Sequence, residues 1–172
     1  MVNIDYLKNP FNYIGGKYKL LPQILPLFPK KIDKFVDLFG GGGEVSLNVN
    51  AKQVVYNDKC KPLVNIFRNL DSKFVDEVKE MIDAYKLNKF SKQEFLNLRS
   101  YYNTNLKDNL DRENAVVLYC LITHAFNYQI AFNKNKEFNM PSGASRSYFS
   151  KSLEDKLVKY IEAIDKKILV LQ

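Results

Sequence analysis

The chain has one histidine and two cysteines in 172 residues, and this scarcity removes several chemistries at once. Cys60 and Cys120 are far apart, show no C-x-x-C spacing and have only His124 to supply a third ligand, so no metal site is expected. They read as free, buried thiols suited to a reducing cytoplasm. No apolar stretch approaches the roughly 20 residues that span a bilayer. The N-terminal Met1 to Pro10 lacks a secretory apolar core. Cytoplasmic location and no membrane contact are therefore expected. Repeats and low-complexity tracts are also missing.

What is present fits an ordinary globular chain about one domain long, with 46% hydrophobic and 26% charged residues. Acids are outnumbered: the formal charge is +7 and the isoelectric point is near 9.2. Clustered Lys and Arg release counterions from a phosphate backbone on binding, so this balance suggests a polyanionic partner.

The apolar pattern predicts α/β organisation with a helical block inside it. Phe35 to Leu38 and Val54 to Tyr56 read as parallel strands buried on both faces, with a crossover helix over Glu44 to Asn50 between them. A helix over Pro62 to Leu70 follows, opened by its proline. Phe74, Val78, Ile82 and Tyr85 then recur at helical spacing. Ser91 to Glu94 reads as a capping box, and a further helix covers Arg112 to Phe126. Residues 127 to 150 read as a loop or irregular hairpin. Ser152 is expected to cap a last helix, after which Ile168 to Leu171 returns to strand character. The organisation is thus an α/β part over 1–70, a helical insertion over 71–150 and a return to the α/β part over 151–172.

The chemistry concentrates around Asp37-Leu38-Phe39-Gly40-Gly41-Gly42-Gly43-Glu44. Glycines allow a sharp turn and close backbone approach to a ligand. No Lys-Ser or Lys-Thr follows them, which excludes a P-loop. The dinucleotide pattern G-x-G-x-x-G fails at its last position, Ser46. Asp37 precedes the loop, where an unpaired buried carboxylate would be costly and a ligand amino group would satisfy it. Asp58 ends the next strand, where an acid can accept hydrogen bonds from ribose hydroxyls; as a plain structural residue it would be a helix N-cap. S-adenosylmethionine offers an amino group, a ribose and an adenine, with Phe39 and the 59–62 stretch close enough in sequence to contact the ring.

With these segments in place, the chain resembles the Dam-like, D12 class DNA adenine-N6 methyltransferases. The resemblance rests on Asn12-Tyr13-Ile14-Gly15-Gly16-Lys17, on Asp37 to Gly43, on Tyr56-Asn57-Asp58, and on Asn133 to Pro141 followed by Arg146 to Phe149. It spans essentially the whole chain. It implies a Rossmann-like methyltransferase fold whose sheet is incomplete here, with an inserted helical target-recognition domain. It also implies S-adenosyl-L-methionine as cofactor, held by Tyr13, Lys17, Asp37, Phe39, Gly40, Gly41, Gly43 and Asp58. Double-stranded DNA is the implied partner, contacted from Asn127, Tyr128, Phe132, Asn133, Lys134, Lys136 and Arg146.

Departures from the family pattern shape the expectation. The catalytic Asp-Pro-Pro-Tyr occurs nowhere in the 172 residues, so no catalytic residue is assigned. The chain reads as a methyltransferase portion that stops short of that motif. The alternatives are an inactive remnant that binds cofactor or DNA, or one half of a split enzyme completed by a C-terminal fragment. A nucleotide-dependent oxidoreductase is the reading from another class. Ala131 stands where many relatives carry a guanine-reading arginine, Lys136 stands at a usual glycine, and Tyr128 stands where some relatives have glycine.

Overall fold

Of the two strands whose side chains are described, one is buried in the way that the sequence pattern suggests. The structure, a computed structural model, describes residues 6–170, with side chains to residue 164. Three short strands, β1 (Lys34–Asp37), β2 (Gln53–Tyr56) and β3 (Ile168–Val170), form a parallel sheet in the order β1-β2-β3. Phe35 pairs with Val54 and Asp37 with Tyr56 across the first ladder. Val54, Val55 and Tyr56 are fully buried in the central strand. β1 is different: its burial alternates, Val36 is 47% exposed, and the adjoining Leu38 and Phe39 reach 57% and 87%. The expectation of a strand covered on both faces therefore fails for β1, which lies at an edge of the described sheet. Of the last predicted strand, Ile168 to Val170 is observed and Leu171 lies outside the described residues.

Seven α-helices complete the described chain: α1 (Leu21–Ile24), α2 (Glu44–Asn48), α3 (Lys61–Asn69), α4 (Phe74–Ala84), α5 (Lys92–Tyr101), α6 (Arg112–His124) and α7 (Lys151–Lys167). Prolines at the starts of α1 and of the following 3-10 turn keep that first segment short. Ser91 precedes α5 but does not build the expected capping box. Its hydroxyl is bonded to the Asn88 N–H and carbonyl in the preceding turn, 2.6 and 2.7 Å away. The cap of α7 also differs from expectation: Ser150, not Ser152, accepts the Leu153 N–H at 3.3 Å. At α6 the sequence rule holds, since Asp111 accepts the Asn114 N–H at 2.8 Å.

α6 is the hub of the molecule. Every residue from Asn114 to His124 is buried, the pattern of a helix surrounded by protein. It packs against α3 on one side and α4 on the other, so one hydrophobic core runs from Phe11 through Leu63, Phe74 and Leu118 to Ile164. A polar knot fastens the same junction. The Asn114 carboxamide accepts from Asn65 of α3 at 2.9 Å and donates to the Leu106 carbonyl at 2.8 Å and the Tyr102 hydroxyl at 3.3 Å. Asn65 also donates to the Asp111 carbonyl at 2.8 Å. At the rim Arg112 bonds Glu77 at 2.6 Å and Asp71 at 2.9 Å, and this guanidinium holds the Asp71 carboxyl below the usual carboxylate range.

Asn114→Ala leaves buried groups of Asn65 and Leu106 without their partner, which costs about 1–3 kcal/mol. Urea unfolding should show a lower midpoint at unchanged slope. An unchanged midpoint would mean that the knot contributes no stability.

Candidate functional site

Asp37 and Tyr56 are register partners at the carboxyl ends of β1 and β2, so the two following loops leave the sheet side by side. They are tied together there: the Asn57 N–H donates to the Asp37 carbonyl at 2.9 Å, and the Gly40 N–H donates to the Asn57 carbonyl at 2.8 Å. The Asp37 carboxylate is half-buried, and its Oδ2 accepts from the Ser46 hydroxyl at 2.7 Å. Ser46 is fully buried. The residue that breaks the dinucleotide pattern is thus the one that steadies Asp37, while Asp37 Oδ1 has no partner among the described residues.

The glycine loop is held from below by its carbonyls. Tyr56 of β2 donates its hydroxyl to the Gly41 carbonyl at 2.7 Å, and Tyr160 of α7 donates to the Gly42 carbonyl at 2.7 Å. Burial pushes both phenols up, Tyr160 and Tyr56 alike, so both remain donors. Their rings pack against Phe67, with centroids 4.4 and 5.7 Å away. Glycine is required for two reasons here. Gly41 and Gly43 have φ of 50° and 77°, and a Cβ on Gly40 or Gly41 would meet the Tyr56 ring at 2.2 Å or the Tyr13 ring at 2.8 Å.

Asp58 closes the other side. One carboxylate oxygen accepts the Gly41 N–H at 2.9 Å and the other accepts the Cys60 N–H at 2.8 Å. Its carboxylate spans the glycine loop and the turn into α3, and Cys60 rather than Asp58 is the cap residue of that helix. Tyr13 lies over Gly41, and its phenol is raised by burial and then by the nearby Asp58 and Cys60. Tyr13, Gly40, Gly41, Gly43, Asp37 and Asp58 therefore converge at one end of the sheet. Lys17 reaches the same region through its backbone only: its N–H donates to Glu44 at 3.2 Å, while its ammonium bonds the Gly15 carbonyl at 2.6 Å. Phe39 projects into solvent, and among the described residues nothing covers its ring.

Glu44 is the residue that the sequence reading missed. It is buried in the first turn of α2, accepts from the Asn9 carboxamide and the Lys17 N–H, and is raised by burial. This carboxylate fastens the Asn9 to Lys17 segment across the glycine loop. An acid directly after four glycines was its visible signal, since a helix start favours negative charge.

The 125–142 stretch is an irregular hairpin, with bridges between Ala125 and Ser142 and between Phe132 and Phe138. Asn127 and Tyr128 have φ of 55° and 57°, and Lys136 has 61°. The last two are the positions where glycine is usual or occurs in the resembled family, and the left-handed backbone explains that preference. Asn133 builds the tip: its side chain accepts the Asn135 and Glu137 N–H groups at 2.9 and 3.0 Å and donates to the Glu137 carboxylate at 2.7 Å. Asn103, in the π-helical turn Tyr102–Leu106 after α5, pairs with both backbone groups of Phe138 at 2.8 and 3.1 Å. The Asn12 N–H donates to the Tyr128 carbonyl at 3.1 Å, joining the hairpin to the N-terminal segment. Phe132 is half-buried, whereas Asn127, Lys134, Lys136 and Arg146 are exposed. Only Phe132, Asn133 and Lys136 of this set line a common cleft.

The chain is similar in sequence to known proteins. Modification methylase StsI of Streptococcus sanguinis is 44% identical over 160 residues, covering 91% of this chain and 23% of the methylase. Type II methyltransferase M.FokI of Planomicrobium okeanokoites is 46% identical over 167 residues, covering 95% of this chain and 25% of the relative. A DNA adenine methylase of Haemophilus influenzae is 27% identical over 145 residues, 81% of this chain and 49% of the relative. The chain thus spans about a quarter of the length of the first two relatives. The sequence profile of the D12 class N6 adenine-specific DNA methyltransferases matches residues 13–171. On that match, together with its glycine loop and paired strand-end acids, the chain belongs to the D12 class N6 adenine-specific DNA methyltransferase family.

Proposed function

We propose that this chain is the cofactor-binding and target-recognition portion of an S-adenosylmethionine-dependent DNA adenine-N6 methyltransferase. Residues 1–70 and 151–172 form its Rossmann-like part and residues 71–150 the inserted target-recognition region. The observation that carries the reading is the meeting of Asp37, the glycine loop and Asp58 at the carboxyl ends of adjacent parallel strands, where open α/β sheets take ligands. Asp37 Oδ1 receives the ammonium of the cofactor. Asp58, already spanning Gly41 and Cys60, retains lone pairs for the ribose, and Tyr13 encloses the methionine end. Gly40, Gly41 and Gly43 give the ligand access to backbone, and Lys17 and Phe39 border the site. An oxidoreductase reading is disfavoured because buried Ser46, bonded to Asp37, occupies the third-glycine position.

The hairpin residues Asn127, Tyr128, Phe132, Asn133, Lys134, Lys136 and Arg146 form the face turned to double-stranded DNA. Lysine and arginine there engage phosphates, while Asn133 acts by shaping the tip. Methyl transfer needs acceptors that align the target amino group. The family's Asp-Pro-Pro-Tyr supplies them, and these residues do not contain it. The segment that bears the motif, in this polypeptide or in a complementing fragment, completes the site.

Three measurements follow. Calorimetric titration should show S-adenosylmethionine binding that weakens at least about tenfold in Asp37→Ala, which removes a charge-assisted contact of about 1.5–3 kcal/mol; Asp58→Asn tests the ribose contact with less disturbance than Asp58→Ala. Equal affinity in all three proteins would remove the cofactor assignment.

Duplex binding, followed by fluorescence anisotropy, should weaken steeply with salt and show little sequence preference. Ala131→Arg should raise discrimination by about 1–3 kcal/mol at one base pair. Salt-independent binding would contradict the DNA face.

Tritiated-methyl transfer by the 172-residue chain alone should be undetectable, since alignment of reactants supplies roughly 7–11 kcal/mol of a barrier. Activity should appear when a polypeptide carrying Asp-Pro-Pro-Tyr is added. Transfer by the chain alone at the rate of complete enzymes would overturn the proposal.

A further inference from the structure

Beside the candidate site lies a cleft of about 630 Å³, and no residue of the glycine loop lines it. One wall is the turn into α3, with Lys59, Cys60, Lys61 and Pro62; the other is Lys107, Asp108 and Leu110 after α5 together with Phe132, Asn133 and Lys136 of the hairpin. Pro62, Leu110 and Phe132 give it an apolar component, and four lysines, Lys59, Lys61, Lys107 and Lys136, line it as well. Lys136 reaches Asp108 at 3.6 Å in an exposed pair, which is weak and exchanges readily for a phosphate; half-buried Lys107 is 3.6 Å from Glu137 and 3.4 Å from the Asn135 carbonyl, long contacts that leave its ammonium room for another acceptor. Lys59 and Lys61 are exposed and form no ion pair among the described residues.

We infer that this cleft is the track for one strand of the DNA, with Lys59, Lys61, Lys107 and Lys136 on successive phosphates and Phe132 against a base or sugar. The inference rests on the DNA reading above and adds Lys59, Lys61 and Lys107, none of them on the hairpin. Charge selects the occupant. S-adenosylmethionine bears a sulfonium and an ammonium against one carboxylate, so a net positive ligand gains nothing from four lysines. A phosphodiester strand gains one favourable contact at each. Apolar and aromatic side chains interleaved with lysines are also the composition that accommodates a stacked or grazed base beside its backbone. The two walls belong to the cofactor side and to the hairpin side, so a strand lying between them would fix the spacing of the target relative to the cofactor.

The test is duplex binding by the double variant Lys59→Ala/Lys61→Ala over a salt series, beside a charge-matched control, Lys30→Ala/Lys31→Ala. The control pair is also exposed but leads into the opposite, amino-terminal end of β1. Loss of two phosphate contacts should lower affinity about tenfold to a hundredfold near 0.1 M salt and reduce the slope of log K against log salt by about 1.8. The control should stay within about twofold of wild type. Equal losses in both pairs would mean diffuse attraction and would overturn the track. Wild-type affinity in the cleft variant would overturn it too, and a simultaneous loss of S-adenosylmethionine binding would reassign the cleft to the adenosine. If wild type itself fails to bind duplex, the DNA reading falls and takes the track with it, an outcome distinct from a binding wild type with an unaffected cleft variant.

Discussion

The carboxylate of Asp58 is the interaction on which the rest of the site depends. A strand-to-helix turn made of four glycines has little side-chain packing to hold it, so its backbone groups must be fixed individually. Asp58 accepts from Gly41 on one oxygen and from Cys60 on the other, which sets the distance between the glycine loop and the start of α3. Tyr56 and Tyr160 hold the opposite, carbonyl face of the same loop. Once the loop is fixed from both sides, Tyr13 can lie on Gly41, and Glu44 can draw in the Asn9 to Lys17 segment. A ligand arriving there meets a surface that needs little reorganisation, and that lowers the entropic cost of binding.

Tyr160 also shows how distant parts of the chain are coupled. It comes from α7, 118 residues beyond Gly42, and α7 is aligned by a Glu154 to Lys79 ion pair with α4 at 2.5 Å. α4 in turn packs on α6, and α6 on α3. The glycine loop is therefore stabilised by the helical region as well as by its own sheet. The hairpin is set by the same framework through Asn103, which substitutes for a neighbouring strand by bonding both backbone groups of Phe138. Glycine loop and hairpin thus stand on one core, and the Asn12 to Tyr128 bond joins the hairpin to the N-terminal segment that Glu44 holds.

The distribution of exposed apolar surface follows the same economy. Among the large apolar residues left open, Leu27, Val36, Leu38 and Phe39, before, in and just after β1, are 83%, 47%, 57% and 87% exposed. The helical region buries α6 from Asn114 to His124. Stability within the described chain comes mainly from the α3, α4 and α6 packing, while the edge strand carries the site's first acid with comparatively little cover.

By itself the sequence determined the local grammar. The acid, glycine run and second acid, the helical repeats through Phe74 and Phe95, and the basic excess were all legible because each is a property of neighbouring residues or of composition. The left-handed backbone at Tyr128 and Lys136, by contrast, emerged only in the fold. Tertiary structure decided what those residues touch. Ser91 and Ser152 fitted capping patterns, but the first hydroxyl found a nearer partner in Asn88 and Ser150 took the second role. β1 looked buried because apolar runs do not reveal whether a strand is central or at an edge. Glu44, Tyr160 and Asn103 carried no signal of their partners, which lie 35, 118 and 35 residues away. Nor could spacing bring Lys59 and Lys61 opposite Lys136, since that meeting depends on how α3 and the hairpin pack around α6. Hydrogen-bond partners and clefts are set by contacts that form only when distant segments share one core, and the chain order does not encode those distances.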